Sequence, residues 1–145
     1  MKIALYSDLH LEHMPVAWVP PAIEADVIIL AGDIGSGASG LYWAADVFPD
    51  KQVLYVAGNH EYYHAGLELL HEMRGTAKQL GIQFLERDVA VIADAAYSDT
   101  GQVIYGRVRF LGCTFWSGFS LHGEEHLLPH MTIFSGESLP PFTRA

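Results

Sequence analysis

Short apolar runs separated by polar loops dominate the first half of the chain. Residues 2–6, 26–31 and 53–57 are rich in aliphatic and β-branched side chains, and the second run is apolar at every position after Asp26. Continuous apolar runs are typical of strands that are buried on both faces of a parallel sheet. Residues 82–85 form a fourth run, and we expect it to be a fourth strand.

Two helices are predicted between these strands. Residues 41–48 form a short helix that ends before Pro49. In the second helix, apolar residues recur at spacings of three and four, and Gly81 is well placed to end it. The apolar residues of this helix are Leu67, Leu70, Met73, Ala77 and Leu80. Strands that alternate with helices predict an α/β fold with a mostly parallel sheet.

The pattern changes after residue 86. Residues 89–93, 103–105 and 108–111 are predicted to be short strands, with turns at residues 98–101 and at Gly106. We expect these strands to form a meander that extends the sheet. Residues 126–145 are predicted to be an irregular tail that follows a single domain over residues 1–125.

Composition excludes several classes of partner. The 145 residues contain 8 Lys and Arg against 17 Asp and Glu, which gives a net charge of −9. This charge argues against general nucleic-acid binding and against binding to anionic membranes. Cys113 is the only cysteine, and neither a leader peptide nor a membrane-spanning run is apparent in the sequence. We therefore expect a cytoplasmic protein.

Polar side chains follow each of the first three predicted strands. Asp8 and His10 follow the first, Asp33 follows the second, and Asn59 and His60 follow the third. Ligands of open α/β sheets bind outside the carboxyl ends of the strands. Alternate residues of an extended segment point the same way, so Asp8 and His10 are expected to face one ion. This mixture of carboxylate, imidazole and amide ligands suits Mn, Fe or Zn better than Ca.

These segments resemble the first three motifs of the calcineurin-like metallophosphoesterases. The matching segments are Ser7-Asp8-Leu9-His10, Gly32-Asp33 and Gly58-Asn59-His60-Glu61. The resemblance implies an αββα sandwich around a dinuclear metal centre. It also implies a phosphatase or phosphodiesterase, whose substrate is a phosphomonoester or a phosphodiester.

The resemblance also implies a role for each residue. Asp8 and His10 would hold the first divalent ion, Asp33 would bridge both ions, and Asn59 would hold the second. Such ions make hydroxide available near neutral pH, and this hydroxide attacks phosphorus. His60 would protonate the leaving oxygen or stabilise charge there.

Neighbouring residues have two interpretations each. Glu61 either orients His60 or Asn59 from behind, or is an exposed acid in the first turn of a helix. His64 is either a polar residue near a helix start or part of the rim of the substrate site. Trp116 either lines that rim or is packed in the interior.

The sequence departs from the family pattern in its second half. It contains no Gly-His-x-His segment, and His122, His126 and His130 are predicted to lie in a solvated loop because Pro129 disfavours a helix there. We therefore expect a sandwich truncated to its amino-terminal sheet and helices. The first ion would keep three ligands and the second only two, so we expect the second ion to bind weakly. An exposed apolar sheet face would favour self-association.

Two alternatives to the enzyme remain open at this point. One is a catalytically weak or inactive remnant that serves as a metal-binding or protein-binding module, and the absent later motifs favour it. The other is a sugar- or nucleotide-binding α/β module without metal.

Overall fold

The computed structural model describes residues 1–14, 16, 18–63 and 68–115, and a parallel sheet of four strands forms the centre of this part. The strands are β1 (Ile3–Tyr6), β2 (Val27–Ala31), β3 (Gln52–Val56) and β4 (Gln83–Phe84), and they lie side by side in chain order. Leu5 lies opposite Ile29, which in turn lies opposite Leu54. The four predicted strands and their parallel arrangement are confirmed.

Two helices cover one face of this sheet. Helix α1 spans Ser39–Val47 and helix α2 spans Leu69–Leu80. Leu41 of α1 and Met73 of α2 are fully buried in one cluster with Ile28, Leu30 and Tyr55 of the sheet. The two helices therefore lie over β2 and β3, and their packing fixes the position of the strand ends.

The buried face of α2 is rotated slightly from the predicted one. Met73 and Ala77 are buried as predicted, but Leu69 and Thr76 are buried as well, whereas Leu70 is only half-buried. Leu67 lies outside the described residues. Gly81 ends the helix as predicted, with a left-handed φ of 73° that favours glycine.

A long hairpin covers part of the opposite face of the parallel sheet. It consists of β5 (Asp88–Tyr97) and β6 (Val103–Gly112), which pair antiparallel. Ala90 and Ile92 point inward and pack against Val27 and Leu54. Alternate residues of β2 therefore face the helices and the hairpin, which explains why its sequence is apolar at successive positions.

The predicted meander is wrong in two respects. The hairpin forms a sheet of its own, and residues 103–112 form one strand because Gly106 pairs with Asp94 within the ladder. The inward residues of the hairpin are apolar, so burial on the face of the parallel sheet is more favourable than pairing at its edge. The turn at residues 98–101 is confirmed, since the Gly101 N–H donates to the Ser98 carbonyl at 2.8 Å.

The described part of the chain thus has a helix layer and two sheet layers, which is a mixed α/β fold. These layers agree with the amino-terminal part of an αββα sandwich. Within the described residues, the helices are too short or too polar to cross a membrane. The predicted domain boundary at residue 125 and the predicted tail lie outside the described residues.

Candidate metal centre

The loops that follow β1 and β2 lie side by side at the carboxyl edge of the parallel sheet. The Asp8 N–H donates to the Gly32 carbonyl at 3.1 Å, and the His10 N–H donates to the Asp33 carbonyl at 3.0 Å. These bonds continue the pairing of β1 and β2 past the ends of the strands. They hold Asp8, His10 and Asp33 next to one another.

Asp8, His10 and Asp33 all have left-handed backbones. Their φ angles are 55°, 49° and 54°. The prediction that Asp8 and His10 converge because they lie on an extended segment is therefore wrong in its geometry. A non-glycine residue in this region costs roughly 1–2 kcal/mol, so the surrounding hydrogen bonds must maintain it. Nevertheless, one ligand atom from each of the three residues lies within 4.8 Å of those of the other two.

Two glycines allow this close approach. A Cβ at Gly32 would lie 2.9 Å from the Cα of Gly58, and Gly32 has a φ of 91°. A Cβ at Gly58 would lie 2.6 Å from the backbone nitrogen of Asp33. Any side chain at either position would therefore separate the loops after β2 and β3.

Asn59 and His60 lie on the loop after β3. The Asn59 amide nitrogen donates to the Tyr63 hydroxyl at 2.9 Å. The backbone N–H of His60 donates to Asp33 Oδ1 at 2.8 Å. The Nδ1 atoms of His60 and His10 are 3.2 Å apart. The third loop therefore joins the first two at the same edge of the sheet.

Glu61 connects the loops from the interior. It is fully buried, so its interpretation as an exposed acid is wrong. Its carboxylate accepts hydrogen bonds from the backbone N–H groups of Gly58 at 2.7 Å, Asp33 at 3.0 Å and Ile34 at 2.9 Å. The Tyr55 hydroxyl donates to it at 2.8 Å. A buried carboxylate with four donors ties the loop after β2 to the loop after β3.

The Tyr55 hydroxyl stays protonated in this environment. Burial raises the pKa of Tyr55 well above its usual range, and the negative charge of Glu61 raises it further. The phenol therefore serves as a hydrogen-bond donor to the carboxylate at any physiological pH.

Glu12 belongs to the site, although the sequence analysis did not single it out. It lies in a short 3-10 turn, Leu11–His13, and its Oε1 is 2.6 Å from His60 Nδ1. Its ligand atom lies within 4.8 Å of those of His10 and His60. The available signal was a carboxylate two residues after His10, in the same loop that carries Asp8.

The carboxyl group of Glu12 is held in its ionised form. Burial alone raises the pKa of Glu12, but the hydrogen bonds with His60 and with its own backbone, and the charges of His60 and His13, lower it by more. The net shift is downward, so Glu12 is an anion near neutral pH.

The hairpin reaches the site through its last residues. The Thr114 hydroxyl lies 2.8 Å from the Ala57 carbonyl and 2.7 Å from Glu86 Oε2, and the Thr114 N–H donates to the same Glu86 oxygen at 2.9 Å. The end of β6 is thereby attached to the end of β3. His64 and Trp116, the predicted rim residues, lie outside the described residues.

The comparison with protein families gives the site its context. The family model for calcineurin-like phosphoesterases matches residues 1–133. The chain belongs to this family. A search of curated proteins found no match, and a search of solved structures found none either. Members of the family typically bind divalent metals, and membership suggests a metal-dependent phosphoesterase.

The donor set agrees with that family property. Asp8, His10 and Asp33 offer two carboxylates and an imidazole within 4.8 Å of one another. Such mixed oxygen and nitrogen donors suit divalent transition metals and zinc. The described residues therefore include a candidate ligand group at the position where the sequence predicts one.

Proposed function

We propose that this chain hydrolyses a phosphomonoester or a phosphodiester with the help of divalent ions at the carboxyl edge of the parallel sheet. The convergence of Asp8, His10 and Asp33 within 4.8 Å is the observation that carries this proposal, because it needs three left-handed residues on two separate loops. Strained backbones of this kind cluster at functional sites. The proposed location is the cytoplasm, which the single cysteine supports.

The proposed ligands follow the order of the strands. Asp8 and His10 would hold a first ion, Asp33 would contact both ions and Asn59 would hold a second, with Mn, Fe or Zn as the metal. When bound, such ions lower the pKa of a water molecule towards neutral pH and offset charge on the phosphoryl oxygens. Glu61 supports this set by fixing the backbone on both sides of Asp33.

His60 is the proposed proton donor. Glu12 Oε1 lies 2.6 Å from Nδ1 of His60, so the Nδ1–H group donates a hydrogen bond to the Glu12 carboxylate. The other ring nitrogen, Nε2, can then give a proton to the leaving oxygen or stabilise charge on it. By accepting the hydrogen bond from Nδ1, Glu12 leaves Nε2 of His60 free to reach the substrate.

The test is hydrolysis of a chromogenic phosphodiester by the full chain with and without Mn²⁺. The variant His60→Ala should lower turnover about 10²–10⁴-fold, the usual range for a general acid, and should keep the Mn²⁺ that Asp8, His10 and Asp33 would hold. His71→Ala is the matched control, because His71 is exposed on α2. Equal turnover in wild type and His60→Ala, or no effect of Mn²⁺, would contradict the proposal.

A second candidate function is protein binding, first of all self-association. The outer face of the hairpin carries four large apolar side chains that are 52–84% exposed: Val89, Val91, Tyr105 and Leu111. Val89 and Leu111 lie directly opposite one another, and Val91 lies two residues further along β5. Exposed apolar groups of this kind favour association with another protein surface. Light scattering after gel filtration should therefore detect dimers or larger species, and Val91→Lys should shift them towards monomer. A wild-type chain that stays monomeric at all concentrations would contradict this candidate.

A further inference from the structure

A cluster of histidine and glutamate side chains lies beside the Asp8 group. The Nδ1 atoms of His10 and His60 are 3.2 Å apart, and Glu12 Oε1 is 2.6 Å from His60 Nδ1 and 3.8 Å from His10 Nδ1. Three potential ligand atoms therefore form a small triangle. The side chains of His60, Glu12 and His10 are 18%, 19% and 33% exposed, so each is partly shielded from solvent.

The triangle has about the dimensions of one face of a tetrahedral ligand shell, which holds three of its four ligands. Zinc–ligand distances of about 2.0–2.1 Å place neighbouring ligand atoms about 3.3–3.4 Å apart. The measured separations of 2.6, 3.2 and 3.8 Å lie around this value. The shortest is the hydrogen bond between Glu12 and His60, and it would lengthen when an ion replaces the proton of that bond. Two histidines and one glutamate are also a donor set that zinc takes in proteins, with a fourth position left open.

A fourth donor lies next to the triangle. Nε2 of His13 is 3.7 Å from Glu12 Oε1, and the His13 side chain is 69% exposed. Its ring centroid lies 6.0 Å from that of His60. An exposed side chain can change rotamer at small cost, so His13 is able to complete a four-coordinate site.

We propose that His10, Glu12 and His60 form a zinc-type metal site distinct from the Asp8 group, with His13 as its fourth ligand. Glu12 and His60 belong only to the new group, Asp8 and Asp33 belong only to the first group, and His10 is common to both. The four proposed ligands all lie among the described residues. The new site does not depend on the proposed hydrolysis.

Co²⁺ is the probe, because four-coordinate Co²⁺ absorbs visible light much more strongly than six-coordinate Co²⁺. The metal-free full chain is titrated with Co²⁺ in wild type and in Glu12→Gln, which preserves volume and hydrogen bonding. Loss of the Glu12 carboxylate should lower the affinity for the Co²⁺ ion that produces the intense band by at least about 10²-fold. Removing a residue that only hydrogen-bonds to a ligand already lowers metal affinity about 10–100-fold. Glu24→Gln is the matched control, because the Glu24 side chain is 90% exposed.

Three further variants test which residues hold the Co²⁺ ion that produces the intense band. Asp8→Asn should keep the intense band, whereas His60→Ala should lose it. His13→Gln should weaken Co²⁺ binding less than Glu12→Gln does, since an added water can replace an exposed ligand. Circular dichroism and a thermal melt of each variant show whether it is folded, and the His60→Ala result provides an independent test if Glu12→Gln is not.

Two results would contradict the proposed His10, Glu12 and His60 site. Unchanged Co²⁺ affinity in folded Glu12→Gln would mean that Glu12 only accepts a hydrogen bond from His60. A band that disappears in Asp8→Asn and persists in Glu12→Gln would place the ion in the Asp8 group. The Mn²⁺-dependent hydrolysis assay is a separate readout, so failure of the hydrolysis proposal leaves the result for this site intact.

Discussion

The parallel sheet and the hairpin differ in how many of their faces are covered. Strands β2 and β3 are buried between the helices and the hairpin, and Ile28 and Leu54, which face opposite sides, are each 1% exposed. In the hairpin, Ile92 is 6% exposed on the inner face, whereas its neighbour Val91 is 54% exposed on the outer face. A sheet that is covered on both faces is the more rigid one, because its side chains are closely packed on both sides.

The candidate metal centre lies on the covered sheet for a physical reason. Residues with left-handed backbones, such as Asp8 and Asp33, persist only where surrounding contacts determine the backbone. Glu61 and the paired loops after β1 and β2 supply those contacts. The hairpin contributes mainly support, through Thr114 and Glu86 at its ends.

The largest expected effect comes from removing the buried carboxylate under the site. Glu61→Ala should lower the free energy of unfolding by about 3–5 kcal/mol, because its buried backbone donors lose a charged acceptor at about 1–3 kcal/mol each. Urea denaturation measures this change. The same variant should also lose Mn²⁺ binding, since Asp33 is no longer fixed.

Glu68→Ala is the matched control for that substitution. Glu68 is exposed at the start of α2, and its removal should change the free energy of unfolding by no more than about 0.5 kcal/mol. A loss below about 1 kcal/mol in Glu61→Ala would contradict the role of Glu61 as the connection between the loops.

Side-chain truncations on opposite faces should affect the free energy of unfolding differently in the parallel sheet and in the hairpin. Ile28→Ala and Leu54→Ala should each cost about 2–5 kcal/mol, because both faces of the parallel sheet are buried. In the hairpin, Ile92→Ala should fall in the same range, whereas Val91→Ala should cost less than about 0.5 kcal/mol. Chemical denaturation of the four variants tests the pattern. Equal losses for Ile92→Ala and Val91→Ala would mean that the outer face of the hairpin is covered in solution.

Substitution of Gly58 at the site is expected to lower stability less than the changes above, but to weaken metal binding strongly. Gly58→Ala places a Cβ 2.6 Å from the Asp33 nitrogen and should weaken Mn²⁺ binding about 10–100-fold. Gly75→Ala is the control, because a Cβ at Gly75 on α2 meets no atom within 4 Å. That control should raise the free energy of unfolding by about 0.5–1 kcal/mol and leave Mn²⁺ binding unchanged. Isothermal titration of both variants compares the two affinities.

Much of the fold could be predicted from local pattern. The apolar runs identified β1 to β4, and Gly81 marked the end of α2, because strand burial and helix capping depend on neighbouring residues. The hairpin could not be placed in the same way. Alternation shows that one face of β5 and β6 is buried, but edge pairing and face-on packing produce the same alternation.

The sequence by itself determined which residues stand at the ends of the strands, namely Asp8, His10, Asp33, Asn59 and His60, and which family they indicate. Only the tertiary structure decided that Glu61 is buried beneath them and that Glu12 meets His10 and His60. The cause is that the contacts which join the loops are distant in the chain: Glu61 accepts hydrogen bonds from Asp33 and Ile34, 28 and 27 positions away, and Glu12 meets His60, 48 positions away. Local pattern carries no information on contacts of that kind, because they form only when parallel strands bring their carboxyl ends together.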